Sequence, residues 1–162
     1  MISTAKRVQY AIGYAQLGLF KDAASELEAV APADRDRAEV VAARVELHRE
    51  AGEWDRVADY ARQLLALDVS DLGAWISLGC AMRRVENISA AKELLLLAEA
   101  RLGSGHAIIH YNLACYHCLL GETDEARRRF AESCRLDASF KKIALDDPDL
   151  QSMHAEIVAL NK

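Results

Sequence analysis

Residues Trp75–Met82 read Trp-Ile-Ser-Leu-Gly-Cys-Ala-Met, and Ala91 and Leu95 continue their pattern along the chain. Gly18 and Gly52 lie 34 residues apart, and a large apolar residue followed by a small one comes after each of them at the same offsets. These pairs are Phe20 with Ala23 and Trp54 with Val57. A sequence that repeats itself at such a period specifies a stack of similar structural units.

The segment Trp75–Met82 and the residues after it resemble the tetratricopeptide motif, with Met82 in place of the motif's aromatic residue. The resemblance implies an all-α fold, a right-handed α-solenoid of about four helix–turn–helix repeats with C-terminal capping helices. We place the repeats at about 4–37, 38–71, 72–105 and 107–140 and the cap at 141–162. At this length, the usual domain size predicts a single domain over 1–162.

In this register, small residues fall where the paired helices must approach each other closely. The first helices carry Ala11, Val45, Gly79 and Ala114, and the second helices carry Ala23, Val57, Ala91 and Ala126. Small side chains at these places allow the helix backbones to pack at the density of a protein interior. We therefore expect helix crossings at all eight positions.

Capping and turn residues support the same helix boundaries. We predict helix N-caps at Ser3, Asp34, Asn87 and Thr123, and left-handed helix ends at Gly18, Gly52 and Gly121. Near the C-terminus, Asp147 before Pro148 is typical of an N-cap followed by a first-turn proline. The helix after Pro148 carries Leu150, Met153, Ile157 and Leu160 on one side, so we expect it to cover the exposed face of the fourth repeat.

The composition excludes several functions. The chain is 52% hydrophobic with 2 prolines, which suits stacked helices, and its formal net charge of −5 argues against a nucleic-acid partner. No stretch is apolar enough to span a membrane. The mildly apolar segment Val8–Phe20 imitates a secretion signal, but it fits the register of the first repeat, so we expect a cytoplasmic protein.

The sequence offers little for catalysis or metal binding. No cluster combines a nucleophile, a base and an orienting group, so we predict no enzyme activity and no cofactor. Cys115 and Cys118 lie one helical turn apart near His110 and His117, and a metal or redox site is therefore an alternative. The register turns these histidines away from the cysteines, which favours thiols that only fill space.

The tetratricopeptide resemblance implies that the first helices of the repeats line a concave groove that binds a partner. On this mapping the groove contains Glu46, Arg49, Ile76, Cys80, Arg83, Arg84, Tyr111, Asn112, Cys115 and Cys118. We predict a protein or peptide partner, an apolar or amphipathic helical segment with acidic flanks, and Tyr111 as its aromatic anchor. The competing interpretation is that Tyr111 and the cysteines only pack their helix against its neighbour.

Two further interpretations concern other partners. Family members that bind chaperone tails grip a terminal carboxylate with lysine, asparagine and arginine, and here those places hold Val8, Ile12, Ala43, Gly73 and Ser77. We exclude that ligand class, because a carboxylate without a partner is costly in a groove. Self-association into a homo-oligomer is the alternative function, through second-helix faces or a first repeat in which Tyr10 and Phe20 stay exposed.

Overall fold

The computed structural model describes residues 2–160, and these residues form ten α-helices, three short 3-10 segments and no β-strand. The helices are α1 (Thr4–Gln16), α2 (Phe20–Glu28), α3 (Ala38–Glu50), α4 (Trp54–Leu67), α5 (Leu72–Val85), α6 (Ile88–Leu102), α7 (Ala107–Leu119), α8 (Thr123–Leu136), α9 (Phe140–Ile143) and α10 (His154–Leu160). The 3-10 segments are Pro32–Asp34, Ala144–Asp146 and Pro148–Met153. The all-α prediction is confirmed.

The helices divide into two compact units, unit 1 at Met1–Val85 and unit 2 at Glu86–Lys162. Unit 1 holds α1–α5, where α1 packs on α2 and α3, and α4 packs on α3 and α5. Unit 2 holds α6–α10, where α7 packs on α6, on α8 and on the segment Pro148–Met153. The third predicted repeat, 72–105, therefore gives its first helix to unit 1 and its second helix to unit 2.

The small residues predicted at helix crossings are buried in both units. The four on the second helices, Ala23, Val57, Ala91 and Ala126, are 0% exposed. An added methylene at such a place forces neighbouring side chains out of their rotamers and costs about 1–3 kcal/mol. These positions consequently fix how closely each helix approaches its partner, which explains why they recur with the period of the repeat.

Three predicted glycine turns have the expected left-handed backbone. Gly18, Gly52 and Gly121 have φ angles of 75°, 72° and 77°. In each turn the residue after the glycine donates its N–H to a carbonyl five residues earlier: Leu19 to Tyr14 at 2.9 Å, Glu53 to His48 at 2.8 Å and Glu122 to His117 at 2.9 Å. This bond pattern belongs to the Schellman motif, which satisfies carbonyls that a helix end leaves unpaired.

Two of the predicted N-caps are correct and two are wrong. The side chains of Ser3 and Asn87 accept hydrogen bonds from the backbone N–H of Lys6 and Ala90. Asp34 caps no helix, because Pro32 starts a 3-10 turn there and α3 begins only at Ala38; its carboxylate accepts instead from the Thr4 hydroxyl at 2.5 Å. Thr123 is the first residue of α8, after the N-cap Glu122.

The C-terminal part of unit 2 forms the predicted cap, with one change in its helix. Asp147 is an N-cap, since its carboxylate accepts from the Asp149 N–H at 2.9 Å. The predicted single helix is split into Pro148–Met153 and α10, because Leu150 leaves helical geometry with φ −101° and ψ 15°. Three of the four predicted contact residues, Leu150, Met153 and Ile157, are buried, whereas Leu160 is 55% exposed.

Candidate functional site

The predicted groove residues of unit 1 form a stripe along α5 and a matching pair on α3. Ile76, Cys80 and Arg83 follow the spacing i, i+4, i+7, which places them on one side of α5. Trp75 and Leu78, which lie on other sides of α5, are buried in the core. All three residues of the stripe are half-buried.

On α3, the predicted groove residues Glu46 and Arg49 form an ion pair. The Arg49 guanidinium donates to both Glu46 carboxylate oxygens, at 3.1 and 2.7 Å, and contacts Glu50 at 2.9 Å. Hydrogen bonding to Glu46 is the main reason that the pKa of Arg49 is raised, and Glu50 and Cys80 contribute as well. The tetratricopeptide register, in which the first helices of the repeats line one groove, predicts that these residues of α3 and α5 share a surface. We call Glu46, Arg49, Ile76, Cys80 and Arg83 the α3–α5 face.

Arg84 does not belong to this face. Its guanidinium carbon lies 3.9 Å from the centroid of the Trp54 ring, and its Nη1 donates to the Cys80 carbonyl at 2.9 Å. A cation stacked on an aromatic face is stabilised by the ring quadrupole. Arg84 therefore packs on the start of α4, and its assignment to the groove is corrected.

In unit 2 the corresponding stripe on α7 is covered by the chain's own C-terminal segment. Tyr111, Cys115 and Cys118 have the same i, i+4, i+7 spacing as the stripe on α5, but all three are buried. The Tyr111 hydroxyl donates to Asp147 at 2.6 Å, and its ring stacks on Phe140 with centroids 4.7 Å apart. In this conformation these three residues hold the C-terminal segment instead of lining an open groove, which corrects their assignment.

Burial and the Asp147 carboxylate change the acidity of Tyr111. Burial is the larger cause, the hydrogen bond to Asp147 is the next, and together they raise the pKa of the Tyr111 hydroxyl far above its ordinary value. Cys118 Sγ and Ser152 Oγ lie 3.0 Å apart, which adds a second polar contact between α7 and the segment. The tyrosine predicted to anchor a partner thus donates a hydrogen bond within its own unit.

Asn112, the remaining predicted residue, is half-buried on α7. Its amide nitrogen donates to the Ile108 carbonyl of the same helix at 2.9 Å. This hydrogen bond uses the side-chain amide of Asn112 as a donor within its own helix. The role of Asn112 in gripping a peptide stays a prediction.

The histidines near the cysteine pair make other contacts. His110 donates from Nε2 to the Ser104 carbonyl at 2.9 Å and accepts at Nδ1 from Arg129 at 3.2 Å, since a carbonyl only accepts and a guanidinium only donates. His117 Nδ1 lies 2.5 Å from Glu122, whose carboxylate also accepts from Lys92. The pKa of Glu122 is lowered mainly by Lys92 and then by His117. These bonds fasten α7 to its neighbours.

A different trio of ligand-type side chains lies close together. Within the described residues, Cys115, Asp147 and Asp149 bring one ligand atom each to within 4.8 Å of one another. The Asp147 carboxylate already accepts from Tyr111 and from the Asp149 backbone, so the cap geometry accounts for its position. Cys118 is not part of this group, and the predicted alternative of a joint Cys115/Cys118 site gains no support from it. Among helices in residues 2–160, none combines the length and apolarity needed to cross a membrane.

Comparison with known proteins supports the fold. No protein-family profile matches the sequence, and no curated protein matches it. A crystal structure of the MamA protein is 20% identical, with 96% of this chain and 86% of that chain covered and a TM-score of 0.71. A second crystal structure of MamA is 21% identical, covering 91% and 87% of the two chains with a TM-score of 0.68. A double mutant of MamA RS-1 is 17% identical, covering 84% and 76% with a TM-score of 0.70. The chain therefore has the predicted tetratricopeptide-type helical repeat fold.

Proposed function

We propose that this helical-repeat chain is a protein-interaction scaffold and that its α3–α5 face binds a helical segment of a partner protein. The observation that carries the proposal is the stripe Ile76, Cys80 and Arg83, whose members share one side of α5 and are half-buried, neither fully buried nor fully exposed. A stripe of mixed apolar and charged side chains at this spacing is typical of surfaces that receive an amphipathic helix.

The charges of the face favour a partner with apolar residues and acidic flanks. Ile76 and Cys80 offer apolar contact on α5, Arg83 follows them on the same helix, and Arg49 lies on α3. Glu46 holds Arg49 in a bidentate ion pair, so the guanidinium is positioned before a partner arrives. Pre-positioned charges contribute mainly to specificity and to the rate of association.

The tetratricopeptide resemblance and the MamA structures support a scaffold role through the fold alone. The stripe on α7, with its Tyr111 hydroxyl bonded to Asp147, shows how the same positions in unit 2 hold a segment of polypeptide. We extend this by analogy to the half-buried stripe on α5, where a segment of another protein takes the corresponding place. No catalytic step enters the proposal.

A pull-down with one doubly substituted variant and one control variant tests the proposal. Ile76→Ser combined with Arg83→Glu changes the face, whereas Arg62→Glu reverses a 50% exposed arginine side chain on α4, away from it. We expect the paired substitution to remove partners that both wild type and Arg62→Glu retain, with circular dichroism confirming that all three proteins keep their helices. Identical partner lists for all three proteins would remove the α3–α5 face from consideration.

Self-association is the second candidate, and exposed apolar residues of the first hairpin favour it. As predicted, Tyr10 and Phe20 are exposed, at 39% and 37%, and Leu17 and Leu19 reach 74% and 45%. Clustered apolar surface on a soluble chain often marks an interface. If this hairpin associates, sedimentation velocity shows concentration-dependent mass for the wild type and a monomer for Leu17→Glu with Phe20→Ser. A wild type that stays monomeric across the micromolar range contradicts this candidate.

A further inference from the structure

The stripe on α7 lies under one continuous stretch of the chain, residues 147–160, which we call the strap. The strap consists of the N-cap Asp147, the 3-10 segment Pro148–Met153 and α10. Its 3-10 segment packs on α7, and the stripe beneath is buried. The equivalent stripe on α5 in unit 1 is half-buried instead. The strap therefore occupies the place where the repeat register predicts a bound peptide.

The strap follows α7 in the direction of the helix and contacts it near both ends of the stripe. Tyr111 donates to the Asp147 carboxylate at 2.6 Å, and Cys118 Sγ lies 3.0 Å from Ser152 Oγ. At 1.5 Å per residue, the distance from Tyr111 to Cys118 along an α-helix is about 10.5 Å. At 2.0 Å per residue, the distance from Asp147 to Ser152 along a 3-10 helix is about 10 Å. The two lengths match, so a short 3-10 segment fits the stripe from end to end.

Two apolar side chains complete the fit of the strap. Leu150 and Met153 are 1% and 2% exposed, and they follow Asp147 at three and six residues. This spacing matches the three residues per turn of a 3-10 helix, which places the three side chains on one side. The segment that fits on α7 thus combines an acidic residue with a leucine three residues later and a methionine six residues later.

The strap is mostly exposed to solvent, which favours its opening separately from the rest of unit 2. Of its 14 residues, all of them described by the structure, eight are exposed and three are buried. The backbone leaves helical geometry at Leu150, and the Arg127–Glu156 ion pair that joins α10 to α8 has both side chains 47% exposed. An exposed ion pair contributes little to stability. Segments with few buried side chains open at a lower free energy than the fold as a whole.

We infer that the α7 stripe is a peptide site that the strap blocks, and that on opening it binds a partner segment of the same chemistry. In that segment an acidic residue accepts from Tyr111, and a leucine and a methionine take the places of Leu150 and Met153. Because the partner competes with the strap, its apparent dissociation constant is the intrinsic one divided by the open fraction. This inference goes beyond the proposed function, since α7 belongs to unit 2 and shares no residue with the α3–α5 face.

Fluorescence anisotropy on the full chain tests the inference with two probe peptides. One probe has the sequence of residues 144–154, and the other is the same peptide with Leu150→Ser and Met153→Ser. We expect saturable binding of the native-sequence probe and affinity about tenfold weaker for the substituted probe, because the two apolar side chains are the ones buried on α7.

A variant that loosens the strap should strengthen binding. Glu156→Arg removes the ion pair with Arg127, and the probe ends before this position, so the substitution alters the strap and leaves the probe contacts unchanged. We expect about three- to fivefold tighter binding of the native-sequence probe, since the lost pair raises the open fraction. Glu132→Arg is the matched control, because Glu132 pairs with Arg135 within α8, and it should bind like the wild type.

A variant that locks the strap should abolish binding. Ser152→Cys brings a second sulfur close to Cys118, since Cys118 Sγ and Ser152 Oγ lie 3.0 Å apart. After oxidation, with the disulfide to Cys118 confirmed by mass spectrometry, we expect the native-sequence probe to lose its binding and to regain it on reduction. Wild type oxidised in the same way keeps Ser152 and should bind the probe as before, with circular dichroism confirming the helices of both proteins.

Several results overturn the inference. They are the absence of saturable binding of the native-sequence probe, equal binding of both probes, unchanged affinity in Glu156→Arg, and binding to the locked chain. A wild-type dimer that is lost when Ser152→Cys is locked also overturns it, because a second copy of the chain then exchanges its strap. The variant Ile76→Ser with Arg83→Glu should bind the probe like the wild type, so this inference and the proposed function can fail separately.

Discussion

At the residue scale, Tyr111 shows how one side chain can satisfy a sequence pattern and yet have a different partner. Its ring packs between α7 and Phe140, and its hydroxyl meets a carboxylate 36 residues away in sequence. The spacing on α7 was enough to predict which side of the helix Tyr111 occupies. The identity of its partner depends on where Pro148–Met153 folds back, and no local pattern encodes that distance.

Removing the Tyr111 hydroxyl should weaken unit 2. Tyr111→Phe leaves the Asp147 carboxylate without this donor, and a lost hydrogen bond to a charged group costs about 1.5–3 kcal/mol in the free energy of unfolding. Urea denaturation followed by circular dichroism measures the change. Tyr10→Phe is the control, since Tyr10 is 39% exposed, and it should leave stability unchanged. Equal stability of Tyr111→Phe and Tyr10→Phe contradicts the assigned bond.

Burial of Tyr111, together with this bond, predicts how stability responds to alkaline pH. The pKa of Tyr111 is raised in the folded protein from an ordinary value of 10.0, so around and above that pH the unfolded chain loses a proton that the folded chain keeps. The stabilising contribution is complete below pH 10.0 and decreases as the pH rises towards the folded pKa. Absorbance at the tyrosinate band, measured up to about pH 11, should be the same for folded wild type and folded Tyr111→Phe. An extra tyrosinate in the folded wild type contradicts the raised pKa.

At the element scale, the hairpin turns follow from glycines whose conformation other residues rarely adopt. Gly18, Gly52 and Gly121 close their hairpins with positive φ, and the sequence period identified all three. The same period located the small residues of the helix crossings, because packing distance repeats with the unit. The N-caps were predicted less well, although Asp34 and Thr123 are residue types that cap helices. Asp34 lies in the 3-10 turn that starts at Pro32, before α3 begins at Ala38, and the N-cap of α8 is Glu122.

Two glycines of the first hairpin should respond oppositely to alanine. Gly13 lies inside α1 and Gly18 has φ 75°, and an added Cβ meets nothing within 4 Å at either. Gly13→Ala should therefore raise the free energy of unfolding by about 0.5–1 kcal/mol, because alanine loses less backbone entropy in a helix. Gly18→Ala should lower it by about 1–2 kcal/mol, since alanine is strained at positive φ. Urea denaturation distinguishes them, and equal effects contradict the turn assignment.

At the scale of the whole molecule, the chain consists of two compact units, and each presents its stripe of first-helix residues differently. In unit 1 the stripe Ile76, Cys80 and Arg83 is half-buried, whereas in unit 2 the stripe on α7 is covered by Pro148–Met153. The repeat register predicted both stripes, because spacing on a helix decides which side a residue occupies. The register did not predict the contact that Arg84 makes, because a long side chain can reach a neighbouring ring such as that of Trp54.

The arrangement of the C-terminal segment could be predicted only in part, for a related reason. The apolar pattern of the C-terminal segment correctly predicted burial of Leu150, Met153 and Ile157. It could not reveal the break at Leu150, where the backbone leaves helical geometry, or the Arg127–Glu156 ion pair between α8 and α10. Such features form where elements that are far apart in the sequence pack together.

Site-specific photo-cross-linking shows directly whether the α3–α5 face binds a partner protein. A photoreactive phenylalanine replaces Ile76 in one protein and Arg62 in another, and each is irradiated in native lysate. Contact at the face predicts a discrete adduct from position 76, its loss when Arg83→Glu is added, and no such adduct from position 62. Binding at the α3–α5 face is contradicted if position 76 gives no adduct, or if the same adduct arises from position 62.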